Sequence, residues 1–267
     1  MEGEMANVRK FTGMTTEEVE RLNESFKTMD TRSSREQLNK LAQEAGKLGI
    51  ASQQAVIEYV EAADVINVAL DELGEGATRD IGKLSSIYGD AERMGLGKAM
   101  LAVGAAINEV SQNSTASASY LVDFENRMAG VGKQADMSIP KIMGYASVLD
   151  QNAQQVEMSA TALQGIIMKM YQDPGKLARI AGIDVKEFAR LVREDANEAL
   201  LQLLDTFGKA GGMQALAPMF DEMKLDGSRA ASVLSVLAGN IESVRREQKL
   251  AQEAFDAVSY THLTLPT

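Results

Sequence analysis

Hydrophobic residues recur every three or four positions along most of the chain, which is the spacing of helices that bury one face. The longest clear example follows Ser52, a suitable cap, and continues over about five turns. Its apolar positions are Val56, Tyr59, Val60, Ala63, Ile66, Leu70 and Leu73. No segment shows a convincing strand pattern. The sequence therefore predicts an all-α fold, a multi-helix bundle of about ten helices with short Gly and Pro breaks.

Other predicted helices also begin at residues that cap helix N-termini. Thr15 precedes a first turn rich in acids, and Ser34 stands three residues before Gln37, the spacing of a capping box. Ser138 is followed closely by a proline, which suits the first helical turn. A further helix start is predicted near Ser114, within a Ser/Thr-rich run.

Breaks between helices are predicted from glycine, proline and turn residues. Glycines at 74, 76, 82, 89, 95 and 97 divide one stretch into short pieces, so we expect a single short helix in a loop-rich connection. Asp173-Pro174-Gly175 predicts a turn. From Asp184 to Phe207 the apolar positions form the longest amphipathic stretch, which we expect to be one helix.

The last predicted helix follows a turn at Asp226-Gly227 and is capped by Ser228. Its apolar residues have the spacing of a coiled-coil seam, which Gln248 then interrupts. The seam residues are Leu234, Leu237, Ile241 and Val244.

Composition favours helices and excludes several classes of protein. Aromatic residues make up 5% of the chain, and helix formers are abundant. The net charge of −11 disfavours non-specific attraction to nucleic-acid phosphates and to anionic membrane surfaces, and we expect no specific nucleic-acid binding. Cysteine is absent, which excludes disulfides, thiolate metal sites and cysteine nucleophiles. No run of apolar residues is long enough for a membrane-spanning helix.

The C-terminal segment differs from everything before it. After Val258 the sequence reads SYTHLTLPT, which resembles the translated adapter sequence that terminates some assembled reading frames. We therefore treat residues 258–267 as a non-native tail. The single histidine, His262, lies in this tail, so no imidazole is left for acid–base chemistry. We expect no enzyme activity, no catalytic residue, no metal site and no cofactor.

Two glycine–lysine segments and two acidic clusters are candidates for chemistry, but each has a simpler interpretation. Gly95-Leu96-Gly97-Lys98 and Gly130-Val131-Gly132-Lys133 lack the first glycine and the Ser/Thr of a phosphate-binding loop, so we interpret them as helix-capping glycines. Acids at 17, 18 and 20 and at 71, 72 and 75 lack the ligand spacing of a calcium loop and are typical of solvated helix faces.

Methionine is frequent, with fifteen residues in the chain. Most are expected to fill gaps in the core. Met213, Met219 and Met223, close to Phe220, could instead form an adaptable surface for a partner helix.

A succession of weak motifs resembles one protein family. The segment that begins KAMLAVGAAINEVSQNSTASAS contains Gly-x-Ala-Ile-Asn and a Ser/Ala-rich step. Phe-x-x-Arg-Met-x-Gly follows at Phe124 to Gly130, and then a Leu-Asp turn in which Asn152-Ala153 stands where such turns often have Gly. Their order and spacing, from about Arg32 to Phe255, resemble the core region of phage tail tape-measure proteins.

The resemblance implies a structural virion protein that sets tail length during assembly and is ejected to assist genome delivery. It implies an N-terminal helical lead-in over residues 1–31 and a core-like helical domain over 32–257. The implied partners are the tail tube protein, tail assembly chaperones, baseplate proteins and further copies in the tail, with the host envelope met only during ejection. The implied location is the bacterial cytoplasm during assembly and then the tail lumen.

The Gly and Pro breaks favour a compact bundle over one extended helix, so we expect a packing or docking segment of a longer ruler. Two other functions stay open. A cytosolic helical adaptor or scaffold protein would form stable complexes without phage partners, and a membrane-active protein would use the Ala/Gly-rich helices near residues 99–110 and 230–241.

Overall fold

The computed structural model describes residues 2–70, 72–74, 76–211, 213–223 and 228–260. These residues form sixteen α-helices and no strand, so the all-α prediction is confirmed. The first eight helices are α1 (Glu2–Thr12), α2 (Thr16–Thr28), α3 (Arg35–Lys47), α4 (Gln53–Ala69), α5 (Ala77–Ile87), α6 (Asp90–Met94), α7 (Leu96–Asn113) and α8 (Ala118–Gln134). The others are α9 (Ile139–Gln151), α10 (Val156–Gln172), α11 (Pro174–Ala181), α12 (Val185–Glu194), α13 (Ala196–Lys209), α14 (Met213–Glu222), α15 (Ser228–Gly239) and α16 (Ile241–Tyr260). None of them is long and apolar enough to cross a membrane.

Most of the predicted caps are present. Thr15 and Glu18 form a complete capping box on α2, and Ser34 and Gln37 form another on α3. The Ser52 hydroxyl accepts from the N–H three residues on, at 3.3 Å, and so caps α4. Ser138 precedes α9 as predicted, but its hydroxyl makes no capping bond.

The described residues form more helices than the ten or so predicted, because single polar residues and glycines divide several segments. Asp195 splits the stretch from 184 to 207 into α12 and α13, since its backbone is extended and its carboxylate caps α13 through the N–H of Glu198. The glycine-rich connection holds two helices, α5 and α6, rather than one. Gly76 and Gly89 precede them with φ of 85° and 83°, which glycine adopts without strain.

Three further boundaries differ from the prediction. The helix expected near Ser114 begins after Ser117, whose hydroxyl caps α8. Pro174 does not sit in an open turn, because it starts α11 with Asp173 as cap. The expected seam is divided at Asn240 between α15 and α16, so it is not one continuous helix. The turn at 226–227, the side chain of Ser228 and residues 261–267 lie outside the described part.

The chain divides into two compact units. Unit 1 comprises the described residues up to Asn108 and those from Ala254, and unit 2 comprises Glu109–Glu253. The boundaries fall within α7 and α16. The division into residues 1–31, 32–257 and 258–267 stays a prediction.

In unit 1, α3 packs against α1, α2 and α4. A Cβ on Gly46 would lie 2.6 Å from the backbone carbon of Phe11, so only glycine permits this approach of α1. Asn23 and Asn39 exchange side-chain amide hydrogen bonds of 3.1 and 2.7 Å between α2 and α3. Both amides are buried, and this reciprocal pair satisfies them.

In unit 2, α10 packs against α8, α9 and α15, and α13 packs against α12 and α15. Phe207 and Phe220 meet edge to face with ring centroids 5.4 Å apart, which joins α13 to α14. A Cβ on Gly208 would lie 2.5 Å from the carbonyl oxygen of Ala238, so α13 and α15 also cross at a glycine.

Candidate functional site

The two glycine–lysine segments, interpreted from the sequence as helix-capping glycines rather than phosphate-binding loops, lie at a helix boundary and inside a helix. Gly95 ends α6 with φ 87°, and Gly97 lies in the first turn of α7, where its Cβ would be 3.0 Å from the carbonyl oxygen of Glu58. Gly130 to Lys133 lie inside α8. The capping interpretation therefore holds for Gly95 but is wrong for Gly130 and Gly132, because the left-handed residue after α8 is Asp136, with φ 53°.

The acidic clusters show no ligand arrangement among the described residues, where no group of three His, Cys, Asp or Glu side chains converges. Glu18 completes the capping box by accepting from the N–H of Thr15 at 2.7 Å. This hydrogen bond lowers the pKa of Glu18. Two acids of the second cluster, Asp71 and Glu75, lie outside the described residues.

The alternative of a methionine surface receives little support where side chains are described. Phe220 and Met223 are almost fully buried, and Met219 is half-buried. The side chain of Met213 lies outside the described part. Met100, Met128, Met143 and Met170 are also fully buried, as gap-filling core residues are.

The motifs that carried the family resemblance include two that meet in space. Ser117, in the Ser/Ala-rich step, donates its N–H to Asp150 at 2.7 Å and its hydroxyl to the same oxygen at 3.2 Å. Asp150 belongs to the Leu-Asp turn at the end of α9. One carboxylate therefore joins the C-terminus of α9 to the N-terminus of α8, where the helix dipole also favours negative charge.

The turn after Asp150 has an unusual backbone. Ala153 adopts φ 55°, in the left-handed region that favours glycine. The N–H of Gln154 donates to the carbonyl of Leu149 at 3.0 Å, and that of Ala153 donates to Asp150 at 2.8 Å, which is a Schellman motif. The position at which similar turns often have Gly is thus the position that needs a positive φ.

The Phe-x-x-Arg-Met-x-Gly motif holds α8 in place. Phe124 and Met128 are fully buried. Arg127 donates to Asp123 on its own helix and to Glu157 on α10, each at 3.1 Å. No atom approaches within 4 Å of the Cβ position of Gly130, so packing does not require glycine there.

A buried polar cluster joins α9, α13 and α16. The Tyr145 hydroxyl donates to the amide oxygen of Asn197 at 2.9 Å, and the Gln248 amide donates to the same oxygen at 2.9 Å. Gln248 also donates to the carbonyl of Lys141 at 2.7 Å. Burial raises the pKa of Tyr145, so this hydroxyl stays a donor at any physiological pH.

The approach of α16 to α9 depends on Gly144. A Cβ there would lie 2.8 Å from the backbone nitrogen of Gln248 and 2.9 Å from the carbonyl oxygen of Val244. Beside this crossing, the Ser147 hydroxyl lies 3.4 Å from a carboxylate oxygen of buried Glu247. Glycine and small hydroxyl groups thus let a polar helix face enter the core.

Tyr120 links α8 to α10 within unit 2. Its ring stacks on Phe124 with centroids 6.2 Å apart, and its hydroxyl donates to Ser159 on α10 at 3.1 Å. Burial raises the pKa of Tyr120 to about 12.

The polar cluster and one buried acid were not predicted from the sequence. Gln248 did give a signal, because it interrupted the seam, and a polar residue in an apolar stripe often has a buried partner. Glu125 lies four residues after Leu121 and three before Met128, on the apolar face of α8, and its side chain is fully buried. Nothing in the sequence around Tyr145 or Asn197 indicates that these residues meet.

Fold and contacts together define an all-α protein in which polar side chains cap helices and fix how they cross. The family model of phage-related minor tail proteins matches residues 16–221, and the chain belongs to that family. This membership supports a structural role in a phage tail. No curated protein and no solved structure matches the chain.

Proposed function

We propose that this chain is a segment of a tape-measure protein, which sets tail length during assembly and is ejected to assist genome delivery. The observation that carries the proposal is family membership over residues 16–221. The resemblance to tape-measure proteins narrows the proposal from a minor tail protein to a tape-measure protein. This resemblance rests on motifs that include Ser117 and Asp150, and these two residues are in contact.

The architecture favours a packing or docking segment within a longer ruler. The longest described helix, α16, has 20 residues and so extends about 30 Å. Glycine contacts such as that of Gly144 hold such helices side by side rather than end to end. Tail length would then be set by the whole polypeptide, with this segment fixing one stage of assembly.

The proposed partners are the tail tube protein, tail assembly chaperones, baseplate proteins and further copies of the chain. The proposed location is the bacterial cytoplasm during assembly and then the tail lumen. A net charge of −11 supports passage of the genome, because an acidic chain adheres weakly to DNA.

An in-frame deletion tests the proposal in the phage that encodes the chain. Removing unit 2, residues 109–253, is expected to change tail length in electron micrographs and to reduce infectivity. Shortening would reach about 220 Å if the deleted residues spanned the tube as continuous helix at 1.5 Å per residue.

The matched control is a tandem duplication of unit 2, which is expected to change tail length in the opposite direction. Normal tail length and normal infectivity in the deletion strain would contradict the proposal and favour a cytosolic adaptor. Normal length with reduced infectivity would contradict the ruler role and support the role in genome delivery alone.

A further inference from the structure

One acid in unit 2 has no role in the contacts described above. Glu125 lies in the middle of α8, and none of its side chain is exposed. Neither carboxylate oxygen has a hydrogen-bond partner. Burying an ionised carboxylate without a partner costs several kcal/mol, whereas a neutral carboxyl costs far less. The folded unit therefore holds this group in its protonated form.

Charged groups on the neighbouring helices do not compensate Glu125. Helix α8 packs against α9 and α10. On α9, Lys141 pairs with Asp195, the Tyr145 hydroxyl bonds Asn197, and Asp150 accepts from Ser117.

The titratable groups of α10 are also engaged elsewhere. Glu157 pairs with Arg127, the Tyr171 hydroxyl lies 3.5 Å from the carbonyl of Ala135, and Lys169 borders a surface cleft beside Asp173. On α8 itself, Asp123 pairs with Arg127 at the surface. Burial alone raises the pKa of Glu125 well above its ordinary value.

We infer that Glu125 is a proton-dependent latch, which closes the packing of α8 on α9 and α10 when its carboxyl is neutral and opens it when the carboxyl ionises. The pKa of Glu125 is raised in the folded state. Its contribution to the stability of unit 2 is therefore fully present below pH 4.5, which is the ordinary pKa of a glutamate side chain. It is lost as pH rises toward the folded-state pKa. Each pH unit within this window lowers the folding equilibrium constant of the unit about tenfold, or about 1.4 kcal/mol.

Hydrogen exchange on the full chain tests the latch. Protection of backbone amides in α8 to α10 is measured between pH 5 and pH 8 and corrected for the intrinsic exchange rate. In the wild type, protection should fall up to tenfold per pH unit relative to α2 to α4 of unit 1, which serve as internal reference. In Glu125→Met, which buries an apolar side chain of similar length, this fall should be absent.

Two further variants separate the latch from general effects. Glu125→Gln keeps a polar side chain that cannot ionise, so it should also remove the pH dependence, even where its overall protection is lower. Asp123→Asn changes a half-exposed acid of the same helix and should leave the pH dependence intact. An equal pH dependence in the wild type and in both Glu125 variants would overturn the inference, as would an equal loss of protection in unit 1.

Discussion

Ala153→Gly is expected to stabilise unit 2, because Ala153 is an exposed residue held at φ 55°. A left-handed conformation costs a residue with a Cβ about 1–2 kcal/mol. Glycine avoids this cost but loses about 0.5–1 kcal/mol through the greater freedom of its unfolded chain. The difference predicts a gain of about 0.5–1 kcal/mol, with little change in buried area.

The gain can be measured by thermal unfolding followed by circular dichroism. For a unit of this size, 1 kcal/mol corresponds to a shift of about 2–4 °C, so Ala153→Gly should raise the unfolding midpoint by about 1–4 °C. Asp136→Gly, at φ 53°, should give a smaller gain because Asp tolerates this conformation better. Ala189→Gly, inside α12 of the same unit, is the matched control and should lose about 1 kcal/mol. An Ala153→Gly variant less stable than the wild type would refute the reasoning.

The remaining predictions concern helix contacts of unit 2, and urea unfolding measures each of them. Gly144→Ala should destabilise unit 2 by more than about 1 kcal/mol, because overpacking forces α9 and α16 apart. Gly165→Ala is the control: it has open space around its Cβ position and should be neutral or stabilising by up to about 1 kcal/mol. Equal effects of the two substitutions would contradict the packing argument. Tyr145→Phe should cost about 0.5–1.5 kcal/mol, since the amide oxygen of Asn197 loses one of its two hydrogen bonds and keeps the one from Gln248; an unchanged midpoint would mean that the hydroxyl contributes nothing. Asp150→Ala should cost about 0.5–2 kcal/mol through the lost cap on Ser117, and full stability would exclude that role.

The helical character of the chain and many helix starts were predictable because local physics decides them. Ser34 and Gln37 form their capping box between neighbours in sequence, so the spacing alone specifies it. Asp195 was missed as a break because its flanking apolar positions keep a helical spacing across it. Only the backbone shows that the carboxylate caps a new helix there.

The polar interior was not predictable because its partners are far apart in the chain. Tyr145 and Asn197 are separated by 52 positions, and Ser147 and Glu247 by 100. Their residue types are compatible with a surface position, and no local pattern marks them as buried. Ala153 was predictable only in part. The family resemblance identified the turn that contains Ala153, but only the positive φ of the backbone shows why glycine suits this position.

The spacing of these contacts has a consequence for the order in which the chain folds during synthesis. The bond between Ser117 and Asp150 closes over 33 positions, so α8 and α9 can pair soon after leaving the ribosome. Glu247 follows Ser147 by 100 residues, which a ribosome adds in roughly 5–20 seconds. During that interval the face of α9 that later receives α16 stands in water. At the crossing itself α9 presents Gly144 and the hydroxyl of Ser147, which expose less apolar surface for aggregation than large aliphatic side chains at these positions would.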